Sequence, residues 1–180
     1  MTNGGVASPG ARWAIALCIA LCVGSPPPAG AQQIGDVESI DGIVAAVYAS
    51  ISGPAGQPRD WDRFRRLHAA DAKLVRTWTD QTGQVRNQVM TLEGFISAVG
   101  TTPPEQPFYE REIARRVQRF GHIAHVWTTF ASYRDPGEAP FARGINSMQL
   151  VHDGSRWWIH SITWDYERED NPLPSGALDR

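Results

Sequence analysis

The side chains that could do chemistry here are concentrated in the last third of the sequence. Arg143 to Glu167 reads RGINSMQLVHDGSRWWIHSITWDYE, two β-rich runs around Asp153-Gly154, a strong hairpin signal. Trp157, Trp158 and Trp164 share these runs with Arg143, Asn146, Gln149 and His160. General acid–base catalysis needs a partly desolvated group that titrates near neutrality, and His125 and His160 are candidates of the right type. Trp127, Trp158 and Trp164 could stack on a flat apolar ligand and exclude water. Asn146 could donate a hydrogen bond to a carbonyl or a developing enolate. Arg143 could clamp a carboxylate or stack on Trp164. Trp78, Tyr109 and Gln149 complete the candidate ligand-binding set. The competing reading of the two histidines is a half-exposed outer sheet face or a dimer interface.

Other constellations carry less. His68 and Asp71, in LHAADAKL at the expected end of a helix, are three residues apart and could pair, the Asp orienting the imidazole. The simpler reading sets His68 against the helix dipole and lets Asp71 start the turn into the next strand. Glu110 and Glu112, beside Arg115 and Arg116, could supply a carboxylate base, although so dense a charged strand face reads more simply as salt-bridged surface. His122 and His125 form an HxxH, but residues three apart on a strand point to opposite faces and cannot share one ion. HExxH is missing, as are Gly-x-Ser-x-Gly and a Gly-rich phosphate loop after a strand. The expectation is no metal and no cofactor.

These residues sit in a chain of 180 with a net charge of −2, far from the strongly basic balance of a nucleic-acid binder. Arg12 precedes the apolar run WAIALCIALCV, then a Pro-rich stretch and Ala29-Gly30-Ala31. This is the pattern of a cleavable signal peptide, residues 1–31, cut after Ala31. The run is too short for stable membrane insertion. Cys18 and Cys22 raise a lipoprotein alternative, but each follows a Leu where processing wants a small residue. Cleavage would remove both cysteines and deliver a periplasmic or secreted protein of single-domain length, residues 32–170, with a flexible tail at 171–180.

The elements that must position the candidates follow from periodicity. Asp36 to Ser52 is an expected amphipathic helix, with Ile40, Ile43, Val44, Val47 and Ile51 at helical spacing. Asp60 caps a second helix, WDRFRRLHAA. Leu74–Thr79 and Val85–Met90 form a hairpin around QTG, and TLEGFISAV is a third helix ended by Gly100. Strands follow over Phe108–Phe120, Ile123–Arg134, Gly144–His152 and Arg156–Glu167. Pairing Val151 with Arg156 puts Asn146, Met148, Leu150, Trp157, Ile159, Ser161 and Thr163 on one face. Arg143, Ile145, Ser147, Gln149, Trp158, His160, Ile162 and Trp164 fall on the other. Either could line a cavity, and a bulge would shift the register.

Helices first and an antiparallel meander last indicate an α+β domain with helices on one face of a curved sheet. WDRFRRLHAADAKLV, TLEGFISAV, HVWTTFASYRD and GINSMQLVHDGSRWWIHSITWDYE, taken in this order, resemble the nuclear transport factor 2-like (NTF2-like) superfamily, especially its SnoaL-like and DUF4440-like bacterial branches. The resemblance implies a cone-shaped fold, N-terminal helices packed on a curved, mostly antiparallel sheet, enclosing a cavity. It spans isomerases, dehydratases, cyclases and epoxide hydrolases as well as binding and assembly domains, often homodimers, and so does not fix an activity. The resulting expectation is an exported protein whose aromatic-lined pocket binds a small, largely apolar or aromatic molecule. The alternative is a cofactor-free isomerase, dehydratase or cyclase using histidine acid–base chemistry in that pocket.

Overall fold

Helix α1 (Ile40–Ile51) buries Ile43, Val44, Ala46, Val47 and Tyr48 along one stripe. Residues 35–38 are helical as well, but the expected helix is broken at Ser39, which is extended (φ −139°, ψ 160°) and caps α1 by accepting from the Gly42 amide at 2.9 Å. Asp36, in the short helical segment before the break, takes two hydrogen bonds from the Arg63 guanidinium, each 2.7 Å. That pair ties the chain entering α1 to helix α2 (Trp61–Leu67), itself capped by Asp60. The computed structural model describes residues 1–2, 35–100 and 103–179, so the leader and its cut after Ala31 lie outside the described residues.

Helix α2 is shorter than the WDRFRRLHAA pattern suggests. His68 is already extended and is the first residue of β1 (His68–Thr79), paired in parallel with Ile159. Alanines favour helix, but the sheet contact overrides propensity here. β2 (Val85–Thr91) pairs with β1, and Thr91 caps α3 (Leu92–Val99) through its hydroxyl. β3 (Tyr109–Phe120), β4 (Ile123–Tyr133), β5 (Ala142–His152) and β6 (Trp157–Tyr166) form the meander. The strand order is β2-β1-β6-β5-β4-β3. Among the described residues only the β1–β6 pairing is parallel, so the sheet is mixed and mostly antiparallel. The fold is an α+β cone, with a curved open sheet partly closed by helices.

Two bulges decide which side chains look inward. The last hairpin closes at His152–Trp157 around an Asp153–Arg156 loop, with Gly154 at φ 101°. The Asp153 carboxylate accepts from the Ser155 and Arg156 amides. Leu150 faces Ile159, but Gln149 already faces Ser161, which leaves His160 as the extra residue. Beyond it the alternation inverts. Ile162 and Trp164 join Asn146 and Met148, whereas the unbulged register placed them with Arg143 and His160. In β3 the register slips between Glu112 and Ala114, so Ile113 is the extra residue there.

The core lies between this face and the helices, with Phe64, Leu67, Leu74, Ile96, Val126, Phe130, Met148, Leu150 and Ile159 nearly inaccessible. Each such side chain contributes roughly 1.5–3 kcal/mol by leaving water. Past β6, the tail folds back on the opposite face. Thr129 Oγ1 donates to the Ala177 carbonyl at 2.6 Å and Arg116 to that of Gly176 at 3.1 Å, leaving Ala177 buried.

Candidate functional site

A cavity of about 450 Å³ opens between α1, α3 and the inner face of the sheet. Most of its wall is apolar: Phe64 and Phe95 stack at 5.4 Å, and Trp164 meets Phe95 edge-on at 6.0 Å. Phe130 and Tyr166 cross edge-on at 5.6 Å on the sheet side. Volume and lining are those of a small-molecule site.

The polar groups in this wall are few and converge. Asn146, on β5, donates through Nδ2 to the Tyr48 hydroxyl at 2.9 Å. Tyr48, projecting from α1, also shares a hydrogen bond of 3.1 Å with Thr128 on β4. Burial raises the Tyr48 pKa above the ordinary phenol range. The Thr128 and Asn146 bonds oppose this, and the charges of Glu110 and Glu112 reinforce it. The phenol therefore stays protonated at any working pH, able to donate.

Glu110 is the titrating member of the site. It lines the cavity from β3, and its Oε2 accepts from Ser132 Oγ at 2.9 Å. Burial pushes its carboxyl up to about 7, and the Ser132 bond offsets only part of that. Its backbone is fixed by Ser52, whose hydroxyl accepts from the Glu110 amide at 2.9 Å. Tyr166 also has its pKa raised, by burial first and then by the Glu110 charge. Glu112 behaves differently. It pairs at 3.1 Å with Arg115, which reaches Asp41 on α1 at 3.0 Å.

Of the residues singled out from the sequence, Glu110, Asn146 and Trp164 line this cavity. The others lie elsewhere. His125 bonds Ser147 at 2.9 Å and meets Trp127 edge-on, on the opposite sheet face. His160 occupies the bulge and is exposed, as is Gln149. Arg143 already holds a carboxylate, that of Glu167, through bonds of 2.7 and 3.0 Å. Trp158 belongs to the hairpin turn, donating to Asp153 at 2.6 Å beneath the Arg156 guanidinium. Trp78 sits beside Arg76 near the end of β1, and Tyr109 is opposite Tyr133.

His68 is buried with Nδ1 2.7 Å from the Phe64 carbonyl, and burial lowers its pKa to about 4. Asp71 is exposed, and no hydrogen bond or ion pair joins the two. Among the described residues, no group of three or more His, Cys, Asp or Glu is placed to hold a metal ion.

A comparison with protein-family models finds no match, and one with curated protein sequences finds none. Solved structures do match. A Parabacteroides distasonis protein described provisionally as a ketosteroid isomerase is similar over 75% of this chain and 98% of its own, at 15% identity and a TM-score of 0.49. An NTF2-like protein of unknown function from Methylobacillus flagellatus is similar over 72% and 95%, at 14% identity and a TM-score of 0.46. Another, from Shewanella baltica, is similar over 63% and 83%, at 12% identity and 0.44. The architecture stands on the chain's own strand pairing, and the chemistry on its own side chains.

Of the polar cavity residues, Tyr48 was not singled out from the sequence, and Glu110 was weighed there as salt-bridged surface. Tyr48 is the only hydroxyl aromatic in the apolar stripe of α1, which was a usable signal. Glu110 was visible as a possible base but indistinguishable from the surface-type pattern of Glu112, Arg115 and Arg116.

Proposed function

We propose that this is an exported NTF2-like protein whose cavity binds a small, largely apolar molecule bearing a carbonyl, and that Glu110 moves a proton on it. The activity class is cofactor-free isomerisation or a related proton abstraction. The observation that carries the reading is a carboxyl held near neutrality in an apolar cavity that also presents a phenol and an amide. A group half ionised at working pH can accept a proton and return it.

In the step itself, the Glu110 carboxylate takes a proton from the carbon next to the carbonyl. The C–H electron pair moves into the new C=C bond as the carbonyl π pair goes to oxygen. Tyr48 supplies an O–H and Asn146 an N–H donor toward that oxygen. Glu110 then gives the proton back as the oxygen electron pair re-forms the C=O, to the same carbon or, where a second C=C is conjugated with the enolate, to the γ carbon with the double bond shifted, so atoms and charge balance without a co-reactant. A carboxyl takes the part that the sequence's alternative reading gave to histidine, since His125 and His160 are not among the residues lining the cavity.

The test is hydrogen–deuterium exchange in D₂O on a panel of small apolar ketones, read by mass spectrometry. Wild type is expected to exchange the carbon-bound hydrogen above the buffer rate, and Glu110→Gln to lose about 10²–10⁴-fold of it. Ketones that bind without any exchange above buffer would leave a binding protein and remove the catalytic reading.

A further inference from the structure

Arg59 is the part of the cavity wall that proton transfer does not use. It lies in the loop between α1 and α2 and lines the cavity with Ile51, Pro104, Phe108 and Glu110. All 19 Asp and Glu side chains of the sequence fall within the described residues, and no ion pair joins Arg59 to any of them. Its one hydrogen bond is to the Pro54 carbonyl, 3.3 Å from Nη1, and its buried Nη2 has no acceptor among the described residues. Burial lowers its pKa from the usual arginine value, as expected of a half-buried cation without a counter-charge.

The surroundings hold the guanidinium in place. Gly53 is hydrogen-bonded to Phe108 in both directions, at 2.7 and 3.0 Å, which fixes the wall beneath it. A Cβ at Gly53 would stand 2.6 Å from Arg59 Nη1, so the guanidinium needs this position bare. The other arginine in the wall, Arg76, is exposed and sits over the Trp78 ring. Arg143 and Arg63, by contrast, are saturated by Glu167 and Asp36. A half-buried guanidinium with no Asp or Glu partner is matched by a planar oxyanion arriving with the ligand.

We infer that the molecule taken by this cavity is a small apolar carboxylate, its acid group bound by Arg59 and its apolar body lying against Phe95, Phe130 and Trp164. The inference rests on the cavity being the binding site proposed above and adds the substrate class, an unsaturated or keto acid. Glu110 is not ion-paired with Arg59, so the anchoring charge and the titrating carboxyl remain separate functions along one wall.

Binding of octanoate and of methyl octanoate, measured by calorimetry near pH 6, tests this. Wild type is expected to prefer the acid on the order of tenfold or more. Arg59→Met should abolish that preference while keeping the ester affinity, which also reports an intact cavity. Should Arg59→Met fail to fold, salt titration of wild type replaces it, since acid affinity must fall with ionic strength and ester affinity must not. Equal affinity for acid and ester, no binding of either, or a preference that survives Arg59→Met overturns the inference. Glu110→Gln separates the two readings, because it should keep the acid preference and lose deuterium exchange. An Arg59-dependent preference in a protein without exchange would retire proton transfer and leave the carboxylate site standing.

Discussion

Glu110 and Ser132 form the smallest unit on which the proposed chemistry depends. The Ser132 hydroxyl donates to the carboxylate and holds its pKa below where burial alone would set it. Because the base is the ionised form, exchange in wild type should rise with pH through about 7 and level off above it. Ser132→Ala removes the one interaction that favours the charge, so the midpoint of the pH–rate profile should move upward. A profile unchanged in midpoint would mean that another group limits the rate. Tyr48 is poised differently. Its oxygen accepts from Asn146, and either partner of the Thr128 bond can supply that hydrogen. If Thr128 donates, the phenol hydrogen is free for a ligand oxygen without any side chain moving.

Which residues share the site is decided one level up, by the strands. Helix positions, the Asp153-Gly154 hairpin and the four-strand meander were legible because periodicity and turn residues are local signals. Which face of β4 points inward was not legible: Val126, Thr128 and Phe130 are buried there, whereas the site candidates His125 and Trp127 lie on the other face. Nor was the bulge at His160. It inverts the alternation between Ile159 and Ile162 and carries Trp164 into the cavity, and no residue type announces it. The same limit hid the difference between Glu110 and Glu112: the β3 bulge brings Arg115 to their face, where it pairs with Glu112 and Asp41.

Gly144 shows how tightly the strands are set. A Cβ there would meet the Asp165 carbonyl across the β5–β6 pair and stand 2.6 Å from Phe130 Cζ. Gly144→Ala should therefore cost about 1–3 kcal/mol in urea denaturation and push the Phe130 ring toward the cavity, weakening ligand binding. An Ala variant of wild-type stability would show that the β5–β6 spacing can relax.

At the scale of the whole molecule, the two buried titrating groups act on stability with opposite sign. Native His68 titrates at about 4, below its ordinary 6.5, so between those values the unfolded chain holds a proton that the native one lacks. Its contribution is complete above 6.5 and lost as pH falls toward 4. Native Glu110 titrates at about 7, above its ordinary 4.5, so there the native chain holds the extra proton. That contribution is present below 4.5 and lost as pH rises through 7.

Each slope is on the order of 1.4 kcal/mol per pH unit at most. Between about pH 4.5 and 6.5 they oppose one another, and the wild-type stability curve should be nearly flat. Glu110→Gln removes the falling limb, so its stability should climb with pH across this window and its advantage over wild type should be greatest above pH 7. His68→Gln carries a constant packing cost but should show the reverse slope, falling as pH rises. Urea denaturation in half-unit pH steps reads both slopes directly. Variant curves running parallel to wild type would mean that neither group is as desolvated in solution as the packing of α2, β1 and β3 makes it.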